Sequence, residues 1–246
     1  MLRLRWFVLL ALLAFIGVLL LRLPARWISA ALPQDVACAD ASGTLWHGQC
    51  AVLTLSGQSL GQLNWQLASW SLLGRRATAN TSVVGSALQA SASIEVTNGS
   101  EWLLRDLRLE LRLPTPWVAR IPAALAGRLS AQLQWLRLKD GWVCDIRGTI
   151  QAQQLVSGGP APAPLGNFEI NFNEPPQAGK LVGKLRDLGG PLAVQGSLTL
   201  LPSPGYLLEG TVAARAEANA VLQRQLAMLG APDAAGRRRF AQEAAL

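Results

Sequence analysis

Histidine and cysteine are nearly missing from this 246-residue chain: His47 is the single histidine, and Cys38, Cys50 and Cys144 are the three cysteines. No two of them form a C-x-x-C, which excludes the usual Cys/His zinc frameworks. Walker A and G-x-G-x-x-G phosphate loops are also missing, so no metal, nucleotide or other cofactor is expected. An excess of charge is lacking where a nucleic-acid surface would need it. The net charge is +7, but residues 1–30 carry four arginines and no acid, and residues 230–246 carry three arginines against two acids. The remainder balances fifteen basic against thirteen acidic residues, leaving no footprint for a phosphate backbone.

Catalytic constellations are equally thin. Gly57-Gln58-Ser59-Leu60-Gly61 fits the G-x-S-x-G nucleophile elbow, which works only between a strand and a helix and beside a general base. Its flanks, AVLTLS and QLNWQL, both alternate like strands, so the glycines read as a turn, and His47 precedes the serine. Asp106 and Glu110 share a strand face with Arg105, Arg108 and Arg112 interleaved, as on a solvated surface. The expectation is a protein that is not an enzyme and has no small-molecule substrate.

One long apolar run is present. Residues 6–21, WFVLLALLAFIGVLLL, are uncharged, with Arg3 and Arg5 before them and Arg22 and Arg26 after. Sixteen residues give ~24 Å of helix; counting from Leu4 to Leu23 gives twenty, with arginines able to snorkel to the interfaces. Trp6 and Trp27 suit the aromatic belts. A cleaved signal would need small residues soon after the run, and RLPARW follows instead. The expectation is a transmembrane anchor within residues 1–30, N-terminus cytoplasmic, carrying a domain of residues 31–246 outside the cytoplasm.

That domain reads as strands. Residues 106–113 alternate, with Leu107, Leu109, Leu111 and Leu113 to one side. Residues 128–135 place Leu129, Ala131, Leu133 and Trp135 inward, and the change of parity at Leu136 predicts a bulge near Trp135. Asp140-Gly141 and Asn98-Gly99 are hairpin signals, and the strand after Asp140-Gly141 should turn Trp142, Cys144, Ile146, Ile150 and Ala152 inward. Recurrent glycines at 127, 148, 183, 196 and 210 favour a sheet that bends. The fold expected is mainly β, a curved antiparallel sheet, partly rolled or sandwich-like, with a sub-boundary at 157–164 (SGGPAPAP). TPWVARIPAALAG at 115–127 can hold a short turn. A helical tail starts near 216, with Val221, Leu222, Leu226 and Leu229 on one face and Gly230 ending it. Asp233 is expected to cap a second short helix. Cys38 and Cys50 flank a turn-prone segment, which favours that pair for a disulfide over three buried thiols.

Four segments in order, SGTLWHG (42–48) followed by LGQLNWQL, GGPLAVQGSLTL (189–200) followed by YLLEGTVAAR, and the tail LQRQLAMLGAPDAAGRRRF, resemble protein N of the bacterial type II secretion system. The resemblance implies an inner-membrane protein with a periplasmic β-rich body, accessory to the export of folded proteins and partnered by other secretion subunits. It also implies likeness in architecture to AsmA-like envelope proteins, hence an alternative role as a lipid- or acyl-chain-binding module. Gly43, Thr44, Trp46 and Gly48, with Gly189, Gly190, Pro191 and Gly196, match the family's recurrent positions and are expected to fix turns and packing. A cysteine pair around the first motif would suit Cys38 and Cys50.

Overall fold

A computed structural model describes residues 22–26, 35–68, 76–97, 100–113, 125–158, 161–175, 180–201 and 205–245, with Trp6, Leu12, Phe15, Val18 and Leu19. Among them the chain forms thirteen strands: β1 (Val36–Gly43), β2 (His47–Leu55), β3 (Gln58–Leu67), β4 (Arg76–Val84), β5 (Leu88–Thr97), β6 (Glu101–Leu113), β7 (Leu125–Lys139), β8 (Trp142–Ser157), β9 (Pro164–Phe172), β10 (Leu181–Asp187), β11 (Leu192–Leu200), β12 (Gly205–Ala214) and β13 (Arg238–Ala245). One helix, α1 (Ala220–Ala227), lies between the last two. The strands form a single antiparallel sheet in the order of the sequence, and β1 and β13 remain open edges. Each strand therefore pairs with its neighbour in the chain, mostly through a short connection, with α1 and its flanking segments between β12 and β13 as the longest exception.

The register gives the sheet two unlike faces. One apolar row crosses all thirteen strands, opposite residue to opposite residue: Ala41, Cys50, Leu63, Val83, Ala90, Leu109, Ala131, Ile150, Ile170, Leu185, Gly196, Gly210 and Phe240. One residue along each strand, on the other face, runs a polar row: Ser42, Gln49, Asn64, Ser82, Ser91, Arg108, Gln132, Thr149, Asn171, Lys184, Ser197 and Glu209. A one-residue slip anywhere would exchange the faces, so the pattern itself fixes the register.

Three apolar clusters make the core on the first face. The first joins Ala25 to Cys50, Leu53 and Trp65. The second joins Ala131, Leu133, Ile146, Phe172 and Leu181. The third seats Leu222 and Leu226 of α1 against Leu192, Val194 and Val212. Helix α1 starts where Asn219 Oδ1 accepts a hydrogen bond from Leu222 N–H at 2.9 Å, satisfying one of the free amides of the first turn.

Four details depart from the sequence pattern. The segment after Asp233 is a strand, β13, and not a second helix: Asp233 Oδ1 accepts from Ala235 N–H and Arg237 N–H, closing a tight turn that sends the chain back along β12. The ladder that β12 offers outweighs helix propensity in a segment too short to hold a helix alone. Trp135 lies on the polar face, opposite Arg105 and Arg147, because Gln134 is the extra residue of the bulge. Arg147 lies 5.1 Å above its ring. Cys144 is exposed, not inward, because Leu138 pairs with Val143 and Arg137 with Asp145, which leaves the cysteine in a second bulge. Trp142, opposite Lys139, is 42 % exposed. At the expected sub-boundary, Ser157 N–H donates to Ala163 C=O at 2.9 Å and β9 pairs with β8, so the sheet continues through it.

Among the described residues no helix is long and apolar enough to cross a membrane. The run on which that expectation rests lies mostly outside the described residues, as do Arg3, Arg5, Trp27, the Asn98-Gly99 hairpin signal and residues 115–124 of the expected short turn, whose last three residues begin β7. Of the run, Trp6, Leu12, Phe15, Val18 and Leu19 are helical and more than half exposed.

Candidate functional site

The turn between β1 and β2 is built by the SGTLWHG segment. Gly43 takes φ +91°, where a Cβ would stand 2.5 Å from His47 O. Thr44 N–H donates to His47 C=O at 2.8 Å, and His47 N–H donates to Thr44 Oγ1 at 3.2 Å. Trp46 C=O accepts from Leu67 N–H at 2.7 Å, tying the turn to the end of β3. Gly48 lies directly under the ring of Trp65, where any Cβ would overlap Cζ2. That close approach lets Trp65, 6 % exposed, donate its indole N–H to Leu45 C=O at 3.1 Å.

The same turn holds the chain that leaves the apolar run. Arg22 N–H donates back to Val18 C=O at 3.1 Å and to Leu19 C=O at 3.2 Å, as in a helix. Three residues on, Ala25 N–H donates to Gly43 C=O at 3.2 Å, Leu45 N–H donates to Leu23 C=O at 2.8 Å, and Pro24 is bridged to Thr44. Ala25 is 1 % exposed within the first cluster. A disulfide joins Cys38 to Cys50 beside this contact, with Cα atoms 5.7 Å apart, and Cys50 is fully buried. The motif is thus a clasp between the post-helix segment and the first hairpin.

The second motif closes the β10–β11 turn around Asp187. Its carboxylate accepts from Gly189 N–H at 3.2 Å, Val194 N–H at 3.1 Å and the Arg215 guanidinium at 2.5 Å. Arg215 also donates to Gly190 C=O and Leu192 C=O, and its own N–H reaches Pro191 C=O at 2.8 Å. Burial pushes the Asp187 carboxyl up, but the bonds from Arg215, Val194 and Gly189 outweigh it and hold the group below its ordinary value. Gly196 faces Gly210 across β11 and β12 at a close backbone approach.

Sequence reasoning missed Asp187 and Arg215, although an acid two residues before Gly-Gly-Pro is a turn signal. It also missed Glu169, nearly buried on the polar face between Gln151 at 3.0 Å and Arg186 at 2.7 Å. The Gln151 amide first, then Arg186, hold that carboxyl below its ordinary value against burial. The two motifs are not brought together: β1–β2 and β10–β11 lie in different parts of the sheet order. Ser59 sits opposite Thr54 in a β2–β3 hairpin, not on a strand-to-helix elbow. Among the described residues no group of His, Cys, Asp and Glu is arranged to hold a metal ion.

The chain matches the family model of type II secretion system protein N over residues 34–241. Proteins of that name resemble it along most of their length. The Aeromonas hydrophila protein is 31 % identical over 237 residues, 92 % of each chain. The Vibrio cholerae protein is 28 % identical over 223 residues, 87 % of each. The Klebsiella pneumoniae protein is 29 % identical over 226 residues, 89 % of this chain and 87 % of that one. No solved structure matches.

Proposed function

This chain belongs to the type II secretion system protein N family, and on that premise we propose that it is a single-pass inner-membrane component acting by contact. In this reading residues 4–23 cross the membrane with the N-terminus in the cytoplasm. The sheet stands in the periplasm, and its charged strand faces and open edges meet other secretion subunits during export of folded proteins. No turnover is involved. Trp6 and Arg22 lie at the two ends of the span, as does Arg5, while Arg3 and Trp27 lie just outside it; Arg3, Arg5 and Trp27 are beyond the described residues.

The observation that carries this reading is the clasp. A body that merely trailed from its anchor would need no backbone bonds to the residues just after it. Here Leu23, Pro24 and Ala25 are paired to Gly43, Thr44 and Leu45. The family positions Gly43, Thr44, Trp46 and Gly48 then serve to set the body at a fixed attitude to the bilayer, and the Cys38–Cys50 bridge stiffens the hairpin that does so. The β10–β11 loop with Gly189, Gly190, Pro191 and Gly196 is a structural turn. A deletion strain assayed for extracellular enzyme, with a periplasm-only reporter fused after Leu246, tests the proposal. An active reporter and reduced export are expected; a silent reporter overturns the orientation, and undiminished export overturns the role.

A second reading has one observation in its favour. Leu133 and Phe172 are 5 % and 2 % exposed within a cluster drawn solely from β6 to β11, while α1 packs only on the third cluster. Burial with no covering element among the described residues supports a sheet curved towards its apolar face, and such a trough suits an acyl chain. Phospholipid retained through gentle purification would favour it; a lipid-free protein of full secretion activity would dismiss it.

A further inference from the structure

The polar face carries a second feature besides its charged strand positions. Three open clefts lie end to end along the polar row. The first, about 370 Å³, includes Asn64 and Ser82. The second, about 620 Å³, includes Ser82, Ser91, Arg108 and Gln132. The third, about 310 Å³, includes Arg108, Gln132 and Thr149. Neighbouring clefts share residues, so they form one groove that crosses β3 to β8 at right angles to the strands.

Its chemistry is narrow. Asn64, Ser82, Ser91, Arg108, Gln132 and Thr149 stand one per strand and in register. Five of the six are uncharged amides or hydroxyls, each able both to donate and to accept. Arg108 is offset by Asp106 and Glu110 on the cleft walls, which removes any net attraction for a polyanion. The side chains of Val83, Ala90, Leu109 and Ala131 point to the other face, so these residues give the groove a main-chain floor, and the exposed Val84 adds an apolar side chain to its wall. Strands are ~4.8 Å apart, about the advance of one β-linked pyranose in an extended chain.

We propose that this groove binds a linear, uncharged, β-linked polysaccharide, laid across the strands with about one sugar ring per strand. Every ring carries hydroxyls that are at once donor and acceptor, which matches the row of amides and hydroxyls. Because the groove lies on the face opposite the apolar clusters, the inference stands independently of the lipid reading.

The full chain in detergent micelles, titrated calorimetrically with cellohexaose and with chitohexaose, tests it. Binding of at least one hexaose is expected, with affinity falling at least about tenfold for the corresponding disaccharide and by about tenfold in Ser91→Ala/Gln132→Ala, each lost hydrogen bond removing part of the total. Both positions are exposed, so this variant should fold; circular dichroism checks it. Arg108→Leu gives a second, independent measure and should weaken binding in the same sense. Absence of binding to both hexaoses, equal affinity of hexaose and disaccharide, or affinity unchanged in both variants would each overturn the proposal.

Discussion

At the scale of single residues, the two glycine motifs act through what surrounds them. Gly48→Ala places a methyl group against the Trp65 ring, which cannot retreat without breaking its bond to Leu45 C=O. A loss of about 1–3 kcal/mol is expected, as in other overpacked cores, read as a lower urea midpoint at unchanged slope. Asp187 carries part of the acid-side pH dependence, beside Glu169 and Asp233, whose carboxyls are also held below their ordinary values. Its folded pKa lies below the ordinary 3.8, so its stabilisation is complete above that value and is lost as pH falls through the folded pKa. Asp187→Asn should flatten the acid side of the stability profile, and wild-type stability that stayed level through that range would refute the assignment. Much of this detail could not be read from sequence. The alternation of residues 128–135 and of the strand beginning at Trp142 is real, but Gln134 and Cys144 each add one residue to a bulge. The parity change at Leu136 marks the first bulge, which the register shift between Leu133 and Trp135 bears out, but it does not say on which face Trp135 ends; nothing in the composition marks the second, and both Trp135 and Cys144 turn away from the expected side.

At the scale of elements, α1 and β13 show where local signals suffice and where they fail. Helix α1 was legible because Val221, Leu222 and Leu226 repeat at helical spacing and Gly230 follows; its cap at Asn219 agrees. Asn219→Ala should cost ~1 kcal/mol and Leu222→Ala, whose side chain is 2 % exposed, about 2–4 kcal/mol, both measured by thermal or urea unfolding. Strand β13 was not legible, since RRFAQEAA has ordinary helix propensity and Asp233 is as good a helix cap as a turn residue. What decides is the free edge of β12, a partner visible only once the sheet is assembled. The first hairpin was better marked, by Gly43, Gly48 and the cysteine spacing. Reducing Cys38–Cys50, or replacing both with alanine, should lower stability by ~2–3 kcal/mol by freeing the unfolded loop. It should also raise hydrogen exchange at Ala25 and Leu45, whose amides hold the clasp; unchanged exchange there would separate the disulfide from the junction.

At the scale of the molecule, the order β1 to β13 means that each strand leans mainly on the two beside it in sequence. Its three clusters lie in succession along the sheet, the first at β1–β4, the second from β6 to β11, the third under α1. No described strand pairs β1 with β13, so among the described residues nothing closes the two ends into one cooperative unit. Such a sheet resembles a repeat array, in which stability is a sum of local terms and neighbour contacts, and its ends can open separately. Leu222→Ala removes an anchor of the third cluster. It should therefore lower exchange protection in β11, β12 and β13 while leaving β2, β3 and β4 nearly as protected as before. The complementary variant, Trp65→Ala, should do the reverse. If instead both substitutions lowered protection evenly over all thirteen strands, the ends would have to be coupled through contacts that a simple up-and-down order does not supply, and the sheet would be behaving as a closed core. Independent ends also suit the role by contact proposed above: the clasped end can stay fixed at its junction while the α1 end adjusts to what it meets, because loosening β12 and β13 costs only the local share of the total.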